Sequence, residues 1–120
     1  MIAQYTQAGL VSENKRLAAP ASVDSIPSSA MQEDHVSMGW HAARKLRTLV
    51  ANLGRILAIE MVTAARAIEL RSPLVPSPAT AVIIEQLRAS VPGSGPDRFL
   101  APDLAAAEAF IWNADVRTRA

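Results

Sequence analysis

The longest unbroken pattern in the chain runs from Met38 to Arg71. It contains no proline and, as its glycines, Gly39 and Gly54. Leu46, Leu49, Val50, Leu53, Ile56, Leu57, Met61, Ala64, Ala65 and Ile68 recur at steps of three and four, which places them along one face of an α-helix. Arg44, Thr48, Asn52, Arg55, Thr63 and Arg66 fall on the other side, where Ile59 and Val62 interrupt them. The apolar face is therefore wide. At about 1.5 Å per residue, a helix over residues 38–71 is a rod of roughly 50 Å.

Shorter patterns flank this rod. Over residues 1–17, Met1, Ile2, Ala3, Tyr5, Ala8 and Val11 keep helical spacing, but no Ser, Thr, Asp or Asn opens the run. The first N–H groups of a helix have no internal partner, so a capping side chain is the rule there. Two readings are open: a frayed terminus, or a first residue that lies inside a longer helix. Residues 18–37 read as a loop, punctuated by Pro20, Pro27 and several serines and closing on the polar run Met31-Gln32-Glu33-Asp34-His35. Ser37 is then the candidate N-cap of the long helix. Ser77-Pro78 is an N-cap followed by a first helical position, opening a short helix over about residues 78–90 through Val82, Ile83 and Leu87. After a loop rich in proline and glycine, Pro102 begins another over about residues 102–115, carrying Leu104, Ala107, Ile111 and Trp112.

The predicted fold class is all-α, a long-helix bundle segment. Its short helices cannot cover the long one, so the pattern calls for partners from other copies of the chain or from a larger protein. The heptad fit is loose, which favours a bundle over a two-stranded coiled coil.

Composition agrees with helices. The 120 residues include 23 alanines, and only 4% are aromatic. Twelve Lys and Arg against 11 Asp and Glu leave a net charge of +1, which gives no basic footprint for nucleic acid. The absence of cysteine excludes disulfides, iron–sulfur clusters and thiolate zinc sites, and fits a cytoplasmic protein. No uncharged apolar run reaches the roughly 20 residues that cross a bilayer, and no basic region precedes an apolar core at the N-terminus. Neither a membrane nor a secretory signal is expected.

Candidate chemistry is confined to Gln32-Glu33-Asp34-His35, with His41 nearby. His35 and His41 are six residues apart and would point in different directions on a helix, so no metal site is expected. No nucleophile elbow of the form G-x-S-x-G is present. Taken alone, Glu33 and Asp34 have two readings: acids that favour the positive end of the long helix, or members of a site. Arg44, Lys45 and Arg47 read as a solvated face, and Met38, Met61, Trp40 and Trp112 as ordinary packing.

Longer stretches carry a resemblance. Ser12-Glu13-Asn14-Lys15, Pro20-Ala21-Ser22-Val23-Asp24-Ser25-Ile26-Pro27 and Gln32-Glu33-Asp34-His35-Val36-Ser37-Met38-Gly39 resemble the histidine ammonia-lyases, within the aromatic amino acid lyases. The likeness continues through Ala42-Ala43-Arg44-Lys45-Leu46 and ends with Asp97-Arg98-Phe99-Leu100-Ala101-Pro102-Asp103. It implies an enzyme that eliminates ammonia from L-histidine to give urocanate, with this chain matching only the C-terminal part. It also implies a cytoplasmic homotetramer, with active sites shared between subunits and the long helix in the central bundle.

The family's electrophile is a methylideneimidazolone formed from Ala-Ser-Gly. Here Ala21-Ser22 and Ala89-Ser90 are each followed by valine, so that precursor is missing and the chain is expected to be inactive alone. By the same resemblance Glu33 is the active-site carboxylate, either an imidazole binder or a proton-transfer group. Where the phenylalanine and tyrosine lyases typically have glutamine, a carboxylate accepts an imidazole N–H or pairs with imidazolium. Gln32 and Met1 are implied as pocket residues, whereas His35 belongs to the motif without an assigned role. Met31 replaces the asparagine that many members carry, which puts a supporting hydrogen bond in doubt. The other reading, from a different class, is a non-catalytic helical oligomerisation or regulatory module derived from the enzyme.

Overall fold

The structure, a computed structural model, describes residues 1–113. It is all-helical, with α1 over Ile2–Leu17, α2 over Gly39–Glu69, α3 over Pro78–Arg88 and α4 over Ala101–Asn113. A 3-10 turn at Ser29–Met31 interrupts the α1–α2 loop. Among the described residues there is no strand, only an isolated antiparallel bridge between Ser28 and Glu33. The last two positions of the helix expected over residues 102–115 lie outside the described residues.

Local chemistry explains the helix ends. Met1 is the N-cap of α1 and offers no side-chain hydrogen bond, and the first turn carries no acid. Lys15 and Arg16 in the last turn complement the negative end of that helix. The N-cap of α2 is Met38, not Ser37. The Ser37 hydroxyl lies one position further out, yet it still accepts the Gly39 amide at 3.3 Å. The serine thus meets an unpaired donor without occupying the cap itself. At α3, Ser77 caps by accepting the Thr80 amide at 3.3 Å, with Pro78 in the first turn, where its missing N–H costs nothing.

α1 and α4 lie against two sides of α2. The α1 side is polar at its centre. Asn52 is only 2% exposed and its Nδ2 donates to Glu13 Oε2 at 2.9 Å and to Asn14 Oδ1 at 3.0 Å. Gln7 Nε2 donates to the Ile56 carbonyl at 3.0 Å. The sequence pattern put Asn52 on the side away from the apolar stripe, and the structure buries it because α1 brings its own polar partners to that side. Ile59, an apparent interruption of the polar face, is buried as well.

The apolar core draws on α2, α3, α4 and the segment after α3. Ala58, Ala65, Leu87, Val91 and Ala107 are buried together, with Met61, Val62, Ile84, Phe110 and Ile111 packed around them. Alanines on α2 and α4 let the two helix backbones approach closely. Gly54 takes this furthest, since a Cβ there would lie 2.5 Å from Cζ2 of Trp112. The indole of α4 sits directly over the bare backbone of α2.

The loops beyond α2 are tied by charge. Arg88 Nε donates to Glu69 Oε1 at 2.6 Å, and Ser94 donates to Glu69 Oε2 through its hydroxyl at 2.6 Å and its amide at 3.0 Å. Arg98 donates to Asp103 at 2.8 Å and to the carbonyls of Pro92 and Gly93. Glu69 closes the last turn of α2, where the helix dipole disfavours a carboxylate. These donors offset that cost.

Much of the predicted stripe remains uncovered. Leu46, Val50, Leu53 and Leu57 are all exposed, Leu46 by 60%. By length and composition α2 could also cross a bilayer. The same properties describe the core helix of an assembly, and α1 and α4 already pack against it.

Candidate functional site

The α1–α2 loop folds back on itself in two steps, one inside the other. At the outer step, Ser25 Oγ accepts the Val36 amide at 2.8 Å and donates to the Val36 carbonyl at 3.2 Å. One hydroxyl thus takes both backbone groups of a residue eleven positions away. At the inner step, the Ser28 amide donates to the Glu33 carbonyl at 3.0 Å and the Glu33 amide to the Ser28 carbonyl at 3.3 Å. Between Ser28 and Glu33 the chain must reverse in four residues. Ser29, Ala30 and Met31 achieve this with φ of 54°, 55° and 69°, three consecutive residues in the left-handed region. For side chains other than Gly, Asn or Asp this conformation is costly. Gln32 then returns to right-handed geometry, and its amide donates to the Ser29 carbonyl at 3.1 Å.

Further ties fix the loop to the helices. Lys45 Nζ of α2 donates to the Ala19 carbonyl, just beyond α1. The buried Asn52–Glu13–Asn14 contacts hold the end of α1 in place.

The result is an exposed carboxylate on a backbone-bridged hairpin. Glu33 is exposed, and its Oε2 lies 3.3 Å from the Ser28 hydroxyl, which donates to it. The remaining lone pairs of this carboxylate are open to an incoming donor. Gln32 is adjacent and also exposed. Met1 stands at the start of α1, 92% exposed, its carbonyl accepting the Tyr5 amide at 3.2 Å. Among the described residues no hydrogen bond joins Met1 to the hairpin.

The nearby cavity of about 150 Å³ is lined by Ser22, Asp24, His35, Ser37, Met38, Gly39 and Ala42, not by Gln32 or Glu33. His35 therefore faces the base of the loop while Glu33 occupies its inner step. Among the described residues, no three His, Asp or Glu side chains gather into a metal-holding group. Sequence reasoning treated Ser25 and Ser28 as punctuation, although they make the contacts that shape the loop. The available signal was the pairing of small hydroxyl residues with proline, a turn-forming composition that does not reveal which backbone groups it will meet.

The residues do not fit the making of an electrophile from Ala-Ser-Gly. Ala89-Ser90-Val91 follows α3, and Val91 is wholly buried in the core with its amide donating to the Leu87 carbonyl. Ala21-Ser22-Val23 lies in the loop after α1, and there too valine stands where the precursor has glycine.

An all-helical chain with a long central helix and an acidic hairpin between its first two helices defines a class, and comparison with known proteins agrees. A sequence model of the aromatic amino acid lyases matches residues 1–89, and the chain belongs to that family. It is 69% identical, over its whole length, to the histidine ammonia-lyase of Streptomyces avermitilis, and covers 24% of that protein. The histidine ammonia-lyase of Symbiobacterium thermophilum is 54% identical over 97% of the chain, which covers 23% of it. The chain thus spans about a quarter of the length of these curated relatives. Among solved structures, the crystal structure of histidine ammonia-lyase from Trypanosoma cruzi superposes with a TM-score of 0.92 at 41% identity, covering 97% of this chain and 23% of that one. A tyrosine aminomutase from Streptomyces globisporus follows the same path with a TM-score of 0.82 at 34% identity, covering 98% of this chain and 24% of that one.

Proposed function

We propose that this chain supplies the carboxylate of Glu33 to the active site of a histidine ammonia-lyase, which eliminates ammonia from L-histidine to give urocanate. The observation that carries the reading is the exposed Glu33 carboxylate, held on a bridged hairpin in a chain 69% identical to a protein of that name. In the elimination the Cα–N bond breaks, a proton leaves Cβ, and a carbon–carbon double bond forms between them. Glu33 accepts a hydrogen bond from the imidazole N–H, or pairs with imidazolium, and so fixes the ring relative to the breaking bonds. Its second candidate role is proton transfer. Gln32 and Met1 contribute to the wall of the same pocket.

In this reading the electrophile comes from the rest of the enzyme, and the chain alone is inactive. The enzyme is a cytoplasmic homotetramer, and the uncovered face of α2 packs in its central bundle. The exposed Leu46, Val50, Leu53 and Leu57 support that placement.

The test is urocanate formation by this chain co-expressed with the N-terminal portion of a close relative, alongside a Glu33→Gln version. Activity that falls at least tenfold in the Gln version is the expected result, the order of one lost charged hydrogen bond. Folded complexes in which neither version makes urocanate would instead favour a non-catalytic helical module.

A further inference from the structure

The hairpin that carries Glu33 is closed by two serines, both outside the α-helices. Ser25 grips Val36 by both backbone groups, at 2.8 and 3.2 Å. Ser28 reaches the Glu33 carboxylate at 3.3 Å while its backbone pairs with that of Glu33 at 3.0 and 3.3 Å. We propose that Ser25 and Ser28 are positioning residues for Glu33: Ser25 closes the outer step so that the inner step keeps its register, and Ser28 aims the carboxylate. This inference rests on the active-site reading of Glu33 and extends it to residues that act only through that side chain.

A loop with three consecutive left-handed residues at its tip has an intrinsic tendency to open. The helices do not oppose that opening directly, because Gln32, Glu33, Asp34 and His35 are all exposed. What opposes it is the short ladder made by the Ser28–Glu33 bridge and the Ser25–Val36 contacts. In that ladder the Ser25 hydroxyl replaces the backbone partner that a paired strand would supply. An exposed carboxylate has free rotamers, and the Ser28 hydroxyl restricts them by donating to one oxygen, leaving the other for a ligand. A glutamate whose chemistry depends on its direction needs both constraints.

The experiment has two arms. In the first, the co-expressed pair carries Ser28→Ala or Ser25→Ala, with Ser28→Thr and Ser25→Thr as variants that keep the hydroxyl, each in Glu33 and in Glu33→Gln backgrounds. Each alanine variant is expected to lower kcat/KM about tenfold with Glu33 present and to have almost no further effect once Glu33 is glutamine, while each threonine variant retains most activity. Equal losses in both backgrounds would show a merely structural role and overturn the inference.

In the second arm, amide hydrogen exchange is followed in the co-expressed pair, without any assay of activity. Ser25→Ala is expected to speed exchange of the Val36 and Glu33 amides about tenfold, leaving the Ala58 amide in α2 unchanged. Unaltered exchange at Val36 and Glu33 would overturn the clamp. A pair in which Glu33→Gln has no effect on activity would overturn the active-site reading instead, whatever exchange shows. The two failures are therefore distinguishable.

Discussion

Met31 is the residue at which sequence and backbone are in open conflict. Its φ of 69° lies in the left-handed region, where asparagine is among the best-tolerated residues after glycine and a long unbranched side chain is not. An asparagine at this position would meet that backbone at lower cost. Met31→Asn is expected to stabilise the hairpin by about 1 kcal/mol, slowing exchange of the Glu33 amide about fivefold. Faster exchange in that variant would show that the methionine side chain makes a compensating contact. Gly54 presents the opposite case. Alanine is the better helix former, but its Cβ would meet the Trp112 ring at 2.5 Å. The overlap decides the sign, and Gly54→Ala should cost about 1–3 kcal/mol. Trp112 fluorescence, read in a Trp40→Phe background, should shift to the red as the indole leaves α2.

At the scale of the elements, each attachment to α2 has its own chemistry. α1 is held by the buried amide of Asn52 and by Gln7, and it buries no side chain of its own. Asn52→Ala leaves Glu13 and Asn14 without that donor and should cost about 1–3 kcal/mol, releasing α1 to cleavage by trypsin after Lys15 and Arg16. α3 and the loop after it are held partly by Glu69. Burial raises the pKa of this carboxyl and is the largest single influence. The hydrogen bonds from the Ser94 hydroxyl, the Arg88 guanidinium and the Ser94 amide, together with the Arg88 charge, outweigh it and hold the group below its ordinary value of 4.5. As pH falls, the unfolded chain takes up this proton first. The contribution of Glu69 to stability is therefore complete above its ordinary value and is lost as pH drops through the folded one. Urea midpoints should fall with acid more steeply in the natural chain than in Glu69→Gln. Parallel curves would mean that these contacts contribute nothing.

These elements were unevenly legible in the sequence. The steps of three and four from Leu46 to Ile68 were enough to place a long helix, and the structure has α2 over Gly39–Glu69. The same steps did not reveal that Asn52 and Ile59, off that stripe, are buried as well. Periodicity reports which residues share a face, whereas burial depends on which neighbour covers that face. A polar helix such as α1 can cover Asn52 as readily as an apolar one could cover leucine. Composition marked Gln32-Glu33-Asp34-His35 as a dense polar run, and only the resemblance singled out Gln32 and Glu33 within it. The shape of the site was not legible, because three left-handed residues and a serine gripping Val36 leave no periodic trace.

The molecule as a whole is too open for its size. Its radius of gyration is 20.2 Å, with extents of 70 × 35 × 20 Å. A compact chain of this length has a radius of about 14 Å. Its accessible surface of 9039 Å² also exceeds the roughly 6,300 Å² of a compact monomer of its mass. Leu46, Val50, Leu53 and Leu57 form part of that excess, set along α2 at steps of four and three. By itself the chain should self-associate, with sedimentation showing species larger than its 12.8 kDa. Replacing Leu53 and Leu57 by glutamate should shift that distribution toward the monomer. A cooperative melt from a monodisperse natural monomer would contradict this.

The sequence by itself determined that the chain is helical and that α2 is its central element. Both follow from local spacing and residue type, which act over a few residues, whereas the reading of Glu33 as a site residue rests on resemblance to a family. Tertiary structure decided that Asn52 is buried and Leu46 is not, that an indole takes the place of a side chain at Gly54, and that Ser25 and Ser28 form the hairpin beneath Glu33. All of these depend on which surfaces meet. Spacing along one strand of sequence cannot encode that until the chain has folded.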